Sequence, residues 1–123
     1  MIHLDTNFLI QALRPGTEEE SKLRQWLEGD EPLGLCTLTW AEFLCGPLDE
    51  QDEAQAAALF PVIEELLPAD ARKGAELFNR TGRRSRSLAD CLIAATALRC
   101  GAQVATANRD DFEPFETLGL SLA

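Results

Sequence analysis

The chain has 123 residues, 46% of them hydrophobic and 26% charged, with a formal net charge of −10. That length fits one compact domain spanning residues 1–123, and the apolar share is enough for a single core. The acidic balance excludes a protein that coats nucleic acid by overall charge. The chain also lacks the roughly eighteen-residue apolar run of a membrane span and the N-terminal pattern of a secretory signal, so a cytoplasmic protein with no membrane partner is expected.

Met1-Ile2-His3-Leu4 reads as a short buried strand that stops on Asp5. Thr6-Asn7 can cap the helix that follows, whose apolar face is Phe8, Leu9, Ala12 and Leu13. Arg14-Pro15-Gly16 breaks it. Thr17-Glu18-Glu19-Glu20 has the spacing of a capping box and opens a second helix, with Leu23, Trp26 and Leu27 on one face, that stops at Gly29. Pro32 to Cys36 is a second strand. Thr37 or Thr39 starts a helix to Cys45, closed by Gly46-Pro47. Asp49 to Phe60 predicts a helix that packs through Ala54, Ala57, Ala58 and Leu59. Residues 61–68 fit a strand or one more helical turn. Asp70 caps a helix to about Arg80, which Thr81-Gly82 ends. Ser87 to Arg99 is apolar almost all round and predicts a buried helix. Gln103 to Thr106 is a strand, and Gly119 to Leu122 can supply a last one. Strands separated by helices need parallel crossovers. The expected fold is therefore α/β, a parallel sheet of four or five strands flanked by helices on both faces.

Cys36, Cys45, Cys91 and Cys100 form no C-x-x-C pair, so neither a structural zinc nor a disulfide framework is expected. Cys91 and Cys100 read as small buried hydrophobes. Charge is unevenly spread. No Lys or Arg occurs from Gln25 to Ala71, whereas Arg72, Lys73, Arg80, Arg83, Arg84 and Arg86 follow in quick succession and lead into Asp90.

Four carboxylates stand where a strand ends or a helix begins. Asp5 closes the first strand, at the edge where open α/β sheets bind ligands. Asp90 lies in the first turn of an apolar helix. There the macrodipole stabilises an acid, yet desolvation also calls for a donor, a basic partner or a metal. Glu42 sits among Trp40, Phe43 and Leu44, and Thr39-Trp40-Ala41-Glu42 also fits a capping box. Asp111 follows the strand ending at Thr106 and on its own reads as a turn residue. Clustered carboxylates repel, so together they need a cation. Oxygen-only ligation selects Mg²⁺ or Mn²⁺, since zinc prefers His or Cys and the single histidine is His3. Such a site suits metal-assisted phosphodiester hydrolysis.

Leu4-Asp5-Thr6-Asn7-Phe8-Leu9-Ile10, Trp40-Ala41-Glu42-Phe43, Ala89-Asp90-Cys91-Leu92-Ile93-Ala94-Ala95-Thr96-Ala97 and Thr106-Ala107-Asn108-Arg109-Asp110-Asp111-Phe112 resemble the four motifs of PIN-domain ribonucleases, in particular VapC-type toxins. The resemblance covers essentially the whole chain. It implies a metal-dependent endoribonuclease that uses Mg²⁺ (or Mn²⁺), an RNA substrate, a homodimer, and a cognate antitoxin that blocks the site. By position, Asp5, Glu42 and Asp90 match the acidic triad. The fourth site group is Asn108 or Asp111, and Asp111 is preferred. Thr6, Asn7 and Asn108 are then supporting polar groups. Arg80, Arg83, Arg84 and Arg86 are either RNA or antitoxin contacts or a solvated loop.

Rival readings leave their own marks. A receiver-type domain needs a lysine after a late strand, and Lys22 and Lys73 do not provide it. A metal-dependent phosphatase with an Asp-x-Asp pair would need an acid where Asn7 stands. A catalytically inactive PIN-fold interaction module, binding RNA or protein, is the alternative that the intact acids argue against.

Overall fold

The computed structural model describes residues 1–83 and 88–123. Four short strands, β1 (Ile2–Leu4), β2 (Leu33–Cys36), β3 (Ile63–Glu64) and β4 (Gln103–Ala105), form a parallel sheet in the order β3-β2-β1-β4. The expected last strand is reduced to a parallel bridge between Leu122 and Val104. The stretch at 61–68, open between strand and helix, forms the edge strand β3. The chain therefore builds outward from β1 to β2 and β3, then returns to lay β4 on the other side of β1. That reversal makes the β1–β4 boundary the topological switch point, where the loops leaving the strand ends diverge and open a crevice.

Side-chain alternation along the strands divides the core. Ile2, Leu4, Leu35 and Ala105 pack on one face against α1 (Thr6–Ala12), α2 (Glu18–Glu28), α3 (Thr37–Leu44) and α4 (Glu50–Leu59). Cys36 and Val104 point the other way, toward α5 (Pro68–Arg80), α6 (Leu88–Arg99), α7 (Arg109–Phe112) and the 3-10 turn Glu113–Leu118. Helices thus cover both faces, as the strand–helix alternation predicts. No helix among the described residues is long and apolar enough to cross a membrane.

Two close approaches favour glycine. A Cβ on Gly34 would lie 3.0 Å from the ring of His3, which is buried in the middle of β1. A Cβ on Gly74 would lie 2.7 Å from Leu92 Cδ2, where α5 meets α6. Burial holds the His3 imidazole below its ordinary pKa, and its Nδ1 has no hydrogen-bond partner among the described residues.

Several local expectations are corrected. Of the packing face expected for α4, Leu59 does pack against the core, but Ala54, Ala57 and Ala58 are exposed. The helix buries Ala56 in the core, with Asp52 and Leu59 half-buried on the same side. In α2 only Leu23 is buried, while Trp26 is half-buried against Phe8 and Leu27 is exposed. Asp70 is not the cap of α5. The helix starts at Pro68 after Leu67, and Asp70 in its first turn accepts the Leu67 N–H at 2.9 Å. Cys91 is buried as expected, but Cys100 is only half-buried. The segment around Asp111 is not a plain turn but the helix α7, with Phe112 pinned in the core against Phe115.

Candidate active site

Asp5 follows β1 directly. Its backbone N–H donates to Ala105 O at 3.0 Å, continuing the β1–β4 ladder by one residue and setting Asp5 at the switch point. The side chain is 4% exposed and does two things. It caps α1 by accepting the Phe8 N–H at 2.8 Å through Oδ1, and it lies within electrostatic reach of Glu42 and Asp111. Burial, together with the charges of Glu42 and Asp111, pushes its pKa up, opposed by hydrogen bonds from Thr106 and the Phe8 N–H.

Glu42 comes from α3, half-buried, and accepts the Thr6 hydroxyl at 2.7 Å on Oε1. The capping-box reading of Thr39-Trp40-Ala41-Glu42 does not hold, because α3 starts at Thr37 and Cys36 occupies the cap. Thr39 is buried against the Cys36 thiol instead, with Sγ to Oγ1 at 3.5 Å. Asp90 lies in the first turn of α6 and is half-buried. Its carboxyl is pushed up to about 7, first by burial and then by the charges of Asp111, Asp5 and Glu42. Asp111 projects from α7 and is exposed.

The four acids from β1, α3, α6 and α7 thus act on one another electrostatically. Each helix is anchored by apolar residues next to its acid: Phe8 and Leu9 after Asp5, Phe43 after Glu42, Cys91 after Asp90, and Phe112 after Asp111. The site is assembled by the core rather than by contacts among the acids, which repel.

The remaining polar groups are placed unequally. Thr6 is engaged with Glu42, Asn7 is exposed on α1, and Asn108 is exposed at the start of α7 and makes no side-chain cap. Thr106 was not among the expected site residues, yet its Oγ1 accepts the Asn108 N–H at 2.9 Å beside Asp5. The signal available in the sequence is register: a threonine one residue beyond β4 matches an aspartate one residue beyond β1. Arg80 pairs with Glu76 on its own helix at 3.4 Å, and Arg83 stands exposed just past α5. Arg84 and Arg86 lie outside the described residues.

Among the described residues, no three Asp, Glu, His or Cys side chains form a ready-made metal cage. The donor set nonetheless fits Mg²⁺ or Mn²⁺. It is all oxygen, its negative charge is uncompensated enough to hold a proton on Asp90 near neutrality, and Mg²⁺ needs only one or two direct carboxylates because it keeps its waters.

The PIN domain family model matches residues 2–116. The chain belongs to the PIN domain family. Its relatives include the VapC ribonuclease Mb1587 of Mycobacterium bovis and ribonuclease VapC11 of Mycobacterium tuberculosis. Each is 30% identical over 118 residues, covering 89% of this chain and 88% of the relative. Among solved structures, FitAcB from Neisseria gonorrhoeae superposes with a TM-score of 0.74 at 25% identity, over 99% of this chain and 96% of that one. DNA-bound VapBC from Salmonella typhimurium shares the PIN fold with a TM-score of 0.77 at 18% identity, over 99% of this chain and 96% of its own.

Proposed function

We propose that this PIN-domain chain is a divalent-metal-dependent endoribonuclease and the toxin of a toxin–antitoxin pair. The observation that carries the reading is the mutual electrostatic strain among Asp5, Glu42, Asp90 and Asp111 at the switch point of the sheet. An isolated structural acid at a helix start is stabilised where it stands. Here three other carboxylates bear on Asp90, an arrangement that favours a cation. The ribonuclease names of the relatives support RNA as the substrate, and the toxin–antitoxin complexes among the structural neighbours support an antitoxin partner. A homodimer is part of the same reading.

Asp5 and Asp90 would hold Mg²⁺ or Mn²⁺, with Glu42 and Asp111 completing the acidic ring. The bound ion supplies neutralisation of the scissile phosphate and a more acidic water. The chain's own contribution is orientation. Thr6 fixes one oxygen of Glu42, and the α1 N-terminus fixes one oxygen of Asp5. Asp90, whose pKa is pushed up to about 7 by burial and the neighbouring acids, would release its proton as the cation binds.

The test is cleavage of a structured RNA by purified protein with Mg²⁺, with Mn²⁺ and with EDTA. Cleavage should require the cation and should disappear in Asp5→Ala, Glu42→Ala and Asp90→Ala proteins that remain folded. An Asp90→Ala protein that cleaves like the wild type refutes this reading. RNA binding without cleavage in all of them favours the inactive interaction module.

A further inference from the structure

We propose that Thr106 is a positioning residue whose hydroxyl ties the turn bearing Asp111 to Asp5 and fixes the orientation of the Asp5 carboxylate. This rests on the metal-binding reading of the acidic site.

A threonine hydroxyl has one proton to donate and lone pairs to accept with. At Thr106 the accepting side is committed to the Asn108 N–H at 2.9 Å. The proton is therefore directed elsewhere. The group beside it is the carboxylate of Asp5, because the Asp5 N–H to Ala105 O bond aligns residue 5 with the end of β4. Both side chains are enclosed, Thr106 at 9% exposure and Asp5 at 4%, so water competes poorly for the bond.

The other half of the link concerns α7. Its cap residue Asn108 makes no side-chain hydrogen bond to the helix, so Asn108 does not itself fix where the turn begins. The Asn108 carbonyl accepts the Asp111 N–H at 3.0 Å, and the Asn108 N–H is held by Thr106. A chain of three hydrogen bonds thus runs from Asp5 through Thr106 and Asn108 to Asp111. Thr106 touches no reacting atom. It sets the distance between an acid at the end of β1 and an acid on α7.

Valine has the shape of threonine without the hydroxyl, and serine has the hydroxyl without the methyl. Mn²⁺ alone, titrated calorimetrically into the full chain, should bind Thr106→Val about tenfold more weakly than wild type, the lower end of the loss expected when a group supporting a metal ligand is removed. Thr106→Ser should restore the affinity. On RNA, kcat should fall in the valine variant with KM unchanged, because the RNA-contacting surface is intact. Wild-type Mn²⁺ affinity in Thr106→Val, or a Thr106→Ser protein as weak as the valine variant, overturns the proposal. Should the valine variant not fold, Thr106→Ala takes its place in the same comparison. The Asn108 amide of the wild type gives an independent reading: slow hydrogen exchange supports the link, and exchange at the rate of an open loop overturns it. Asp90→Ala is the separate control. If it binds Mn²⁺ like the wild type, the metal reading itself fails, whatever the result at Thr106.

Discussion

The hydroxyl of Thr6 donates to Glu42 Oε1 at 2.7 Å, across 36 positions of sequence. Thr6 opens α1 and Glu42 lies midway along α3, so the bond joins the two helices that carry the first two acids. A glutamate has three side-chain torsions, and without this bond repulsion from Asp5 and Asp90 would drive its carboxylate toward solvent. Thr6→Val is therefore expected to lower Mn²⁺ affinity and RNA cleavage by roughly tenfold, with Thr6→Ser close to wild type. Calorimetric titration of the three proteins checks it. Equal affinities would mean that Glu42 needs no such restraint.

Asp90 gives a pH dependence with a definite sign. Its folded pKa of about 7 lies above the ordinary value of 3.8, so between those values the folded chain holds a proton that the unfolded chain has released. Stability supplied by that proton is present at low pH and is lost as pH rises through about 7. Without divalent metal, the wild type is expected to unfold at a lower temperature at pH 8 than at pH 6. Buried His3, whose pKa is lowered from 6.5, bends the curve the opposite way below that pH, so the informative quantity is wild type minus Asp90→Asn. That variant should be more stable than wild type at pH 8 by roughly 1–2 kcal/mol, a figure discounted because solvent reaches part of Asp90. Saturating Mg²⁺ should remove the difference. A flat difference curve from pH 5 to 8 would contradict the repelling cluster.

Much of this arrangement was legible in the sequence, because strand ends and helix starts are local events. Asp5 after an apolar tetrad and Asp90 in an apolar helix announce themselves by contrast with their neighbours. The parallel sheet follows from the alternation of strands and helices, and the structure agrees. Other features depend on long-range packing. Ala54, Ala57 and Ala58 of α4 are no less apolar than Ala56, and only packing against the rest of the chain selects among them. α7 escaped notice because a four-residue helix has no periodicity to read, and it holds its place through Phe112 in a distant core. Thr106 escaped because strand register is a relation between segments a hundred residues apart.

Arg99 shows how the helix bearing Asp90 is held at its other end. Its Nε donates to Asp70 Oδ1 at 2.8 Å, one NH group pairs with Glu64 Oε1 at 3.0 Å, and the other donates to Glu65 O at 3.0 Å. Burial pushes the Asp70 carboxyl up, but the Arg99 guanidinium and the Leu67 N–H outweigh it and hold the pKa below its ordinary value. Asp70 therefore contributes stability above the ordinary carboxylate range, and loses it as pH falls through its lowered pKa. Arg99→Ala leaves a carboxylate that is 1% exposed without its cation. The variant should unfold at a clearly lower temperature at pH 7, with the gap to wild type narrowing below about pH 4 as Asp70 is protonated. A gap that is constant with pH would assign the loss to packing of the arginine stem rather than to the ion pair.

Arg83 differs from Arg80 in what it has left to offer. Arg80 is paired with Glu76, whereas Arg83 stands past the end of α5 with its backbone N–H on Phe78 O at 3.0 Å. Its φ of 57° is left-handed, a conformation that is strained for arginine and relaxed for glycine. Arg83→Gly is therefore expected to keep or raise the unfolding temperature, which makes it a cleaner probe than alanine. If the arginine contacts phosphate, the variant should bind RNA more weakly, and the slope of log affinity against log salt should shrink by up to about one unit. Cleavage at saturating RNA should stay near wild type, because the acids are untouched. Arg80→Ala should do less on both counts, since Glu76 already neutralises part of its charge. If Arg83 instead docks an acidic segment of an antitoxin, the glycine variant will bind RNA normally and escape inhibition. Unchanged RNA affinity, salt slope and inhibition would identify Arg83 as a solvated loop residue.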